Sequence, residues 1–312
     1  MARVFVTRQL PGPALERLSQ THETTVWPES LPPTYEQLRN QAADSDALLT
    51  LLSDRVDAAL IAAAPRLKVI ANYAVGFDNI DVDAATARGI AVGNTPDALT
   101  EATADLAFAL LMSAARRITE AAQSARQGLW KTWEPTGFLG ADVYGATLGI
   151  IGLGRIGQAM ARRGQGFGME LLTTETRDSS NLEHLLSRAD FVSLHLPLTP
   201  GTHHLIGERE LALMKPTAIL INTSRGGVVD QVALARALST GQIGGAALDV
   251  TDPEPLPPSD PLWQAPNLLV VPHIGSATWT ARERMAEIAV ANVLAGLEGA
   301  PLPYQVPTQA GS

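Results

Sequence analysis

The chain contains no cysteine in 312 residues. That excludes disulfides and thiolate nucleophiles, and it fits a reducing compartment. Basic runs are absent too: 23 lysines and arginines face 32 acidic residues, a net charge of −9. This balance argues against a nucleic-acid partner or an anionic membrane surface. No stretch approaches the ~20 apolar residues of a membrane-spanning helix. The opening Met1-Ala2-Arg3-Val4-Phe5-Val6-Thr7 reads as a strand and lacks the apolar core of a signal peptide. The six histidines form no Cys/His cluster and no H-E-x-x-H pattern, so a metal site is not supported. With 46% hydrophobic residues, the chain has material for substantial cores. The expectation is a cytoplasmic, globular protein.

What is present is alternation. Strand-like runs at Val4–Thr7, Thr24–Trp27, Ala47–Leu52, Lys68–Tyr73 and Gly89–Val92 are separated by helical patterns at Pro13–Ser19, Thr34–Ala43 and Asp57–Ala63. Such βαβα order implies a parallel sheet covered by helices. A long helix is expected from Thr100, and its run Leu106–Met112 is apolar on every side. A helix of that kind is buried, which suggests a place between domains or subunits. Gln127–Tyr144 reads as an irregular excursion, where Trp130 and Trp133 serve either as core staples or to reach a neighbouring active site. Strands resume at Thr147–Ile151, Glu170–Thr174, Asp190–Leu196, Thr217–Asn222, Gly245–Val250 and Leu268–Val271, and a helix runs from Thr280 to Leu297. The fold class is therefore α/β, with two Rossmann-like or flavodoxin-like parallel-sheet domains. Their expected boundaries are 1–98 plus 280–312 for one, and 99–279 for the other.

The strand at Thr147–Ile151 feeds directly into Gly152-Leu153-Gly154-Arg155-Ile156-Gly157. In such a G-x-G-x-x-G turn, the first glycine allows the tight bend and the second admits a pyrophosphate close to the backbone. The third lets helix and strand pack together, while the helix N-terminus faces the anion. The helix behind it carries Gly164, Gly166 and Gly168; either it stops near Arg163 or these glycines serve close packing.

In an open parallel sheet, ligands bind beyond the carboxyl ends of the strands. Here every strand end in the second half carries polar or glycine-bearing residues. Glu175 follows the second strand, eighteen residues after Gly157, about where an acidic group meets an adenosine ribose. His195-Leu196-Pro197 follows the third, and Thr223-Ser224-Arg225 the fourth. The fifth is followed by Asp249 to Pro255, including Glu254, and the sixth by His273-Ile274-Gly275-Ser276. Taken singly, Arg225 reads as a surface ion-pair partner, Glu254 as a solvated loop charge and His273 as a structural imidazole. Gathered at one edge they supply a cation that grips a carboxylate, an acid–base imidazole and a carboxylate that favours its protonated form. His195, His22, His184, His203 and His204 read as structural.

These motifs together resemble the D-isomer-specific 2-hydroxyacid dehydrogenase family. The signature comprises G-L-G-R-I-G from Gly152, I-N-T-S-R-G-G-V-V-D from Ile221, A-L-D-V-T-D-P-E-P-L-P from Ala247 and V-P-H-I-G-S-A-T from Val271. The first half adds L-L-S-D-R-V-D from Leu51, N-Y-A-V-G-F-D-N-I-D from Asn72 and G-N-T-P-D-A-L-T from Gly93. The likeness is greatest to the glyoxylate/hydroxypyruvate reductase branch. It implies an active site in a cleft between two domains, the first of them discontinuous because the last helix returns to it. It also implies that Arg225 binds the substrate carboxylate and polarises the carbonyl. His273 is then general acid in reduction, and Glu254 pairs with it. Arg155 and Ile156 cover the pyrophosphate, with Pro197, Thr223 and Gly275 at the cofactor. Asp249 accepts from the nicotinamide amide, and the amides of Val75 and Gly76 hold the carboxylate. Leu52, Ser53, Tyr73, Ser276 and Trp133 shape the substrate pocket, and Trp133 matches a tryptophan that reaches the partner subunit in a homodimer.

Two departures stand out. The segment Thr174–Asn181 is shorter than usual, so a peripheral strand or turn is expected to be missing. Glu175 favours NAD(H), because it repels a ribose 2′-phosphate, whereas Arg177 nearby leaves NADP(H) possible. Other readings are a phosphoglycerate, phosphite or broad 2-keto acid enzyme of the same family, and a cofactor-sensing corepressor on the same fold. The chain leaves no room after Ser312 for the regulatory domain of many phosphoglycerate enzymes, and it lacks the basic tail that a corepressor would use.

Overall fold

The computed structural model describes residues 1–175 and 179–309. It divides into two compact units, Met1–Leu99 with Ala277–Ser312 and Thr100–Ser276. In the first unit the chain runs β1 (Arg3–Val6), α1 (Ala14–Thr21), β2 (Glu23–Val26), α2 (Tyr35–Ala43), β3 (Ala47–Thr50), α3 (Ala58–Ala63), β4 (Val69–Asn72), α4 (Val82–Ala87) and β5 (Ala91–Gly93). All strands pair in parallel in the order β2-β1-β3-β4-β5. The central strands β3 and β4 are buried on both faces, which is why they read as continuous apolar runs. Helix starts are chemically marked: Thr34 and Gln37 form a capping box on α2, and Asp57 and Asp81 cap α3 and α4.

The second unit begins with α5 (Thr100–Ala115) and α6 (Ile118–Arg126), followed by a stretch without helix or strand up to Ala146. Then come β6 (Thr147–Ile151), α7 (Arg155–Gly166), β7 (Glu170–Thr174), α8 (Ser179–Arg188), β8 (Phe191–Leu194), α9 (Glu208–Leu213), β9 (Ile219–Asn222), α10 (Gln231–Ser239), β10 (Gly245–Leu248) and β11 (Leu268–Val270). These six strands are parallel in the order β11-β10-β9-β8-β6-β7. One face of the sheet packs against α8, α9 and α10, the other against α5 and α7. The last helix, α11 (Trp279–Leu297), belongs to the first unit and lies against β3, β4, β5 and α1.

Several local expectations change. Within its own unit, the apolar α5 packs on β9, β10, β11 and α7. Its open face carries Glu101 and Asp105, which pair with Arg162 and Arg163 of α7. Helix α7 does not stop at Arg163; Gly164 is buried where a Cβ would crowd Leu148 of β6, so close packing is its role. The core-staple reading of Trp130 and Trp133 fails, since they are 76% and 79% exposed. Tyr73 does not line a pocket: it is buried among the residues packed by α11, and its hydroxyl donates to the Arg282 carbonyl at 2.7 Å. Burial pushes that phenol up to about 12. Helices α4 and α6 are the elements that the sequence pattern does not signal: α4 has only six residues, and α6 buries none of its side chains. After Glu175 the chain passes to α8, with β7 at the edge of the sheet. Arg177 lies outside the described residues.

His195 has the structural role expected of it. Its Nε2 lies 2.9 Å from Ser193 Oγ at the end of β8, and burial lowers its pKa from 6.5 to about 4. The folded protein thus holds a neutral imidazole that the unfolded chain protonates below about pH 6.5. Between these values the unfolded state binds more protons, so stability falls as pH falls. Denaturant midpoints should show the wild type losing on the order of 2 kcal/mol more than His195→Asn between about pH 7.5 and about pH 5. Equal acid sensitivity of the two proteins would remove this role.

Candidate functional site

The second unit's functional edge starts at β6, which has β7 on one side and β8 on the other. The chain connections leave in opposite senses there, which opens a crevice at the carboxyl ends of the strands. The Gly152 amide continues the ladder by donating to the Thr174 carbonyl at 2.9 Å. A Cβ on Gly152 would overlap the His195 carbonyl, and one on Gly157 would overlap the Gly152 carbonyl. Neither residue tolerates a side chain, so the tight strand–turn–helix junction depends on both. Gly154 differs: it stands at the N-cap of α7, and a Cβ there would meet nothing within 4 Å. Packing does not require that glycine, but close approach by a ligand backbone would. Arg155 and Ile156 open the helix behind it.

The neighbouring strand ends carry the other expected cofactor contacts. Glu175 is exposed directly after β7, beside the end of β6. The Pro197 carbonyl accepts from Thr202 Oγ1 at 2.6 Å, which pins the loop after β8. Thr223 Oγ1, after β9, is buried and has no hydrogen-bond partner among the described residues. A buried hydroxyl without a partner is costly unless something else satisfies it. The open face of Gly154 and the orphaned Thr223 hydroxyl both fit a bound dinucleotide.

Arg225, Glu254 and His273 follow three adjacent strands, β9, β10 and β11, whose ends are in register: Asn222 pairs with Leu248, and Leu248 with Val270. Each of the three is held by a different device. For Arg225 it is Asn222, the buried last residue of β9. Its Oδ1 accepts from the Ser224 amide at 3.0 Å and from Ser224 Oγ at 2.8 Å, while its Nδ2 donates to the Arg225 carbonyl at 2.9 Å. For the Glu254 loop it is Gln231 of α10, which exchanges two hydrogen bonds with the Asp252 backbone, at 2.5 and 2.7 Å.

His273 is held by Asp249. Its backbone is left-handed, with φ 49°, a conformation that disfavours a non-glycine residue by about 1–2 kcal/mol. The buried Asp249 carboxylate accepts from the Ile274 amide at 2.6 Å and the Gly275 amide at 2.8 Å, and the His273 amide donates to the Asp249 carbonyl at 2.9 Å. Burial pushes the Asp249 carboxyl above the usual carboxylate range, partly opposed by the Ile274 amide. Asp249 therefore clamps the histidine turn, a job that strand pattern alone does not reveal. With the turn held, His273 Nδ1 lies 2.8 Å from Glu254 Oε1. An ionised carboxylate only accepts, so Nδ1 carries the proton and Nε2 is the nitrogen left to face a substrate. A hollow of about 310 Å³ in this unit, lined by Asp142, Tyr144, Asp190 and Thr217 among others, opens at the opposite, amino end of the strands and contains none of these groups.

In the first unit, the expected substrate contacts lie on the loops after β3 and β4. Leu52 is 39% exposed, a large apolar side chain left open to solvent. The Ala74 carbonyl accepts from the Thr95 amide at 2.9 Å, and the Val75 carbonyl from Asn94 Nδ2 at 2.7 Å. In a trans peptide the N–H of the next residue points opposite the carbonyl. These two bonds therefore turn the Val75 and Gly76 amides away from the protein groups that hold the loop. Ser276, the last residue of the second unit, follows the clamped Gly275.

The family model for the D-isomer specific 2-hydroxyacid dehydrogenase NAD binding domain matches residues 108–275. A glyoxylate reductase from Korarchaeum cryptofilum is 51% identical over 309 residues, with 95% of this chain and 93% of the relative covered. Among solved structures, the TT0316 protein of Thermus thermophilus has a TM-score of 0.92 at 50% identity, covering 97% of this chain and 99% of that one. An NADPH-dependent glyoxylate/hydroxypyruvate reductase from Sinorhizobium meliloti, solved with NADP and malonate, has a TM-score of 0.87 at 32% identity, covering 98% and 97%. The motifs, the two parallel sheets and these likenesses agree: the chain belongs to the D-isomer-specific 2-hydroxyacid dehydrogenase family, whose members are nicotinamide-dependent oxidoreductases.

Proposed function

We propose that this protein reduces small 2-keto acids, glyoxylate and hydroxypyruvate foremost, to D-2-hydroxy acids. The observation that carries this reading is the 2.8 Å contact of His273 with Glu254 on the strand-end edge that also bears Arg225. When bound, the reduced nicotinamide supplies hydride to the keto carbon. His273 Nε2 gives its proton to the oxygen that becomes the hydroxyl. Arg225 carries the charge that develops on this oxygen and grips the carboxylate. Glu254 fixes the imidazole tautomer and stabilises its cation before the proton leaves. The second unit, Thr100–Ser276, is the dinucleotide-binding domain in this reading, and the first supplies Leu52, Val75 and Gly76 to the substrate. Asp249 keeps lone pairs beyond those used by Ile274 and Gly275, which leaves it able to accept from the carboxamide of the nicotinamide.

NADH is the favoured reductant. Glu175 stands exposed beside the end of β6, where its charge accepts from a ribose 2′-hydroxyl and repels a 2′-phosphate. The Sinorhizobium meliloti relative uses NADPH, so the preference is a property of this edge rather than of the family. We also read the chain as a cytoplasmic homodimer. Leu129, Trp130, Trp133, Phe138 and Leu139 expose apolar surface over a single irregular segment, and a second copy is the occupant that would cover it. No helix among the described residues is long and apolar enough to cross a membrane.

Three outcomes test this account. Steady-state kinetics with glyoxylate and hydroxypyruvate should give a higher kcat/KM with NADH than with NADPH; a strong NADPH preference would overturn the role of Glu175. Arg225→Ala should lower kcat/KM for either acid by about 10²–10³, and near-normal kinetics would defeat its assignment. Glu254→Ala should lower kcat/KM for either acid by about 10²-fold, because the imidazole loses the carboxylate that holds its tautomer and orientation. Wild-type kinetics in that variant removes the coupling.

A further inference from the structure

The first unit contains a buried polar group that the proposed chemistry does not use. Asn72 ends β4 and is fully buried, yet every donor and acceptor on its side chain has a partner. Its Nδ2 donates to the Gly76 carbonyl at 2.9 Å and to Asn79 Oδ1 at 3.0 Å. Its Oδ1 accepts from Thr50 Oγ1, at the end of β3, at 3.1 Å. Asn79 in turn donates through Nδ2 to the carbonyls of Leu51 at 3.1 Å and Asp54 at 2.9 Å. The Leu51–Asp54 turn is closed from inside by the buried Asp54 carboxylate, which accepts from the Leu51 amide at 2.7 Å and from Thr7 Oγ1 at 2.5 Å. Burial pushes the Asp54 carboxyl up.

Asn72 therefore ties together two loops that are otherwise separate in sequence. One carries Leu52, the other the Val75 and Gly76 amides. We propose that Asn72 is a positioning residue for substrate: by anchoring the Gly76 carbonyl and linking it through Asn79 to the Leu51–Asp54 turn, it sets where those amides stand relative to Leu52. It touches neither substrate nor cofactor. The inference rests on the reading that the Val75 and Gly76 amides receive a carboxylate, and the experiment separates the two.

A fully satisfied buried network rigidifies what it holds, and removing one member loosens its neighbours. The effect should fall on the group that those amides bind. The experiment compares wild type, Asn72→Ala and the milder Thr50→Val for thermal melting, KM for the reduced nicotinamide, and kcat/KM for a 2-keto acid and for its methyl ester. In Asn72→Ala the KM for the acid should rise about tenfold, as expected for one lost orienting hydrogen bond, with cofactor KM and ester kinetics unchanged. Thr50→Val should show the same split at smaller size, and it carries the test if Asn72→Ala shows no melting transition. Equal loss for acid and ester, or wild-type kinetics in a folded variant, overturns the positioning role. If the wild type itself shows no preference for the acid over the ester, it is the carboxylate reading that fails.

Discussion

One carbonyl–amide pair and one buried carboxylate that accepts from two amides decide where the His273 imidazole stands. Asp249 accepts from the Ile274 and Gly275 amides, and only with that clamp in place does the left-handed His273 bring Nδ1 to Glu254. The strain is local and the compensation is local, which is the usual arrangement where function requires an unfavourable backbone conformation. A substitution that left the imidazole but removed the clamp would release the turn into an ordinary conformation and lose the geometry. The geometry of the edge thus depends on a residue whose side chain is buried beneath it.

The same design recurs at the ends of buried strands. Asn72 closes β4 and Asn222 closes β9; Asn222 uses both ends of its amide to hold the loop that follows, while Asn72 donates to its own loop and accepts from Thr50 at the end of β3. An asparagine at such a position has two donors and an acceptor facing a turn whose backbone groups lack ladder partners. It therefore converts the end of a rigid strand into a fixed loop, and the loop carries the functional group. Gln231 does the same from a helix for the Glu254 segment. The parallel sheet supplies the rigidity, and the amides transmit it by about one loop's length.

Much of the fold is legible in the sequence. Alternating apolar runs identified all eleven strands, because strands covered on both faces must read that way. The glycine turn and the placement of Arg225, Glu254 and His273 at successive strand ends were also readable, since a parallel sheet gathers such residues at one edge. The clamps were not legible. Asn72, Asn79 and Asn222 look like ordinary turn formers, and nothing in local spacing says that an asparagine reaches a carbonyl several residues away. Asp249 carried only the cofactor role that the resemblance implies, because its two backbone partners lie 25 and 26 residues further along the chain. Trp130 and Trp133 left two readings open, and exposure decides against the core one, because burial depends on what the chain packs over them and this chain leaves both exposed.

The central claim is that this edge moves a hydride to C2 of a keto acid while a histidine protonates the oxygen, leaving the D-configured alcohol. Isotope tracing tests it directly. Hydroxypyruvate is incubated with reduced nicotinamide carrying deuterium at both C4 positions, and the product is analysed by chiral chromatography and mass spectrometry. The account predicts D-glycerate labelled with one deuterium at C2. Unlabelled product, the L isomer, or no turnover with any small 2-keto acid would contradict it.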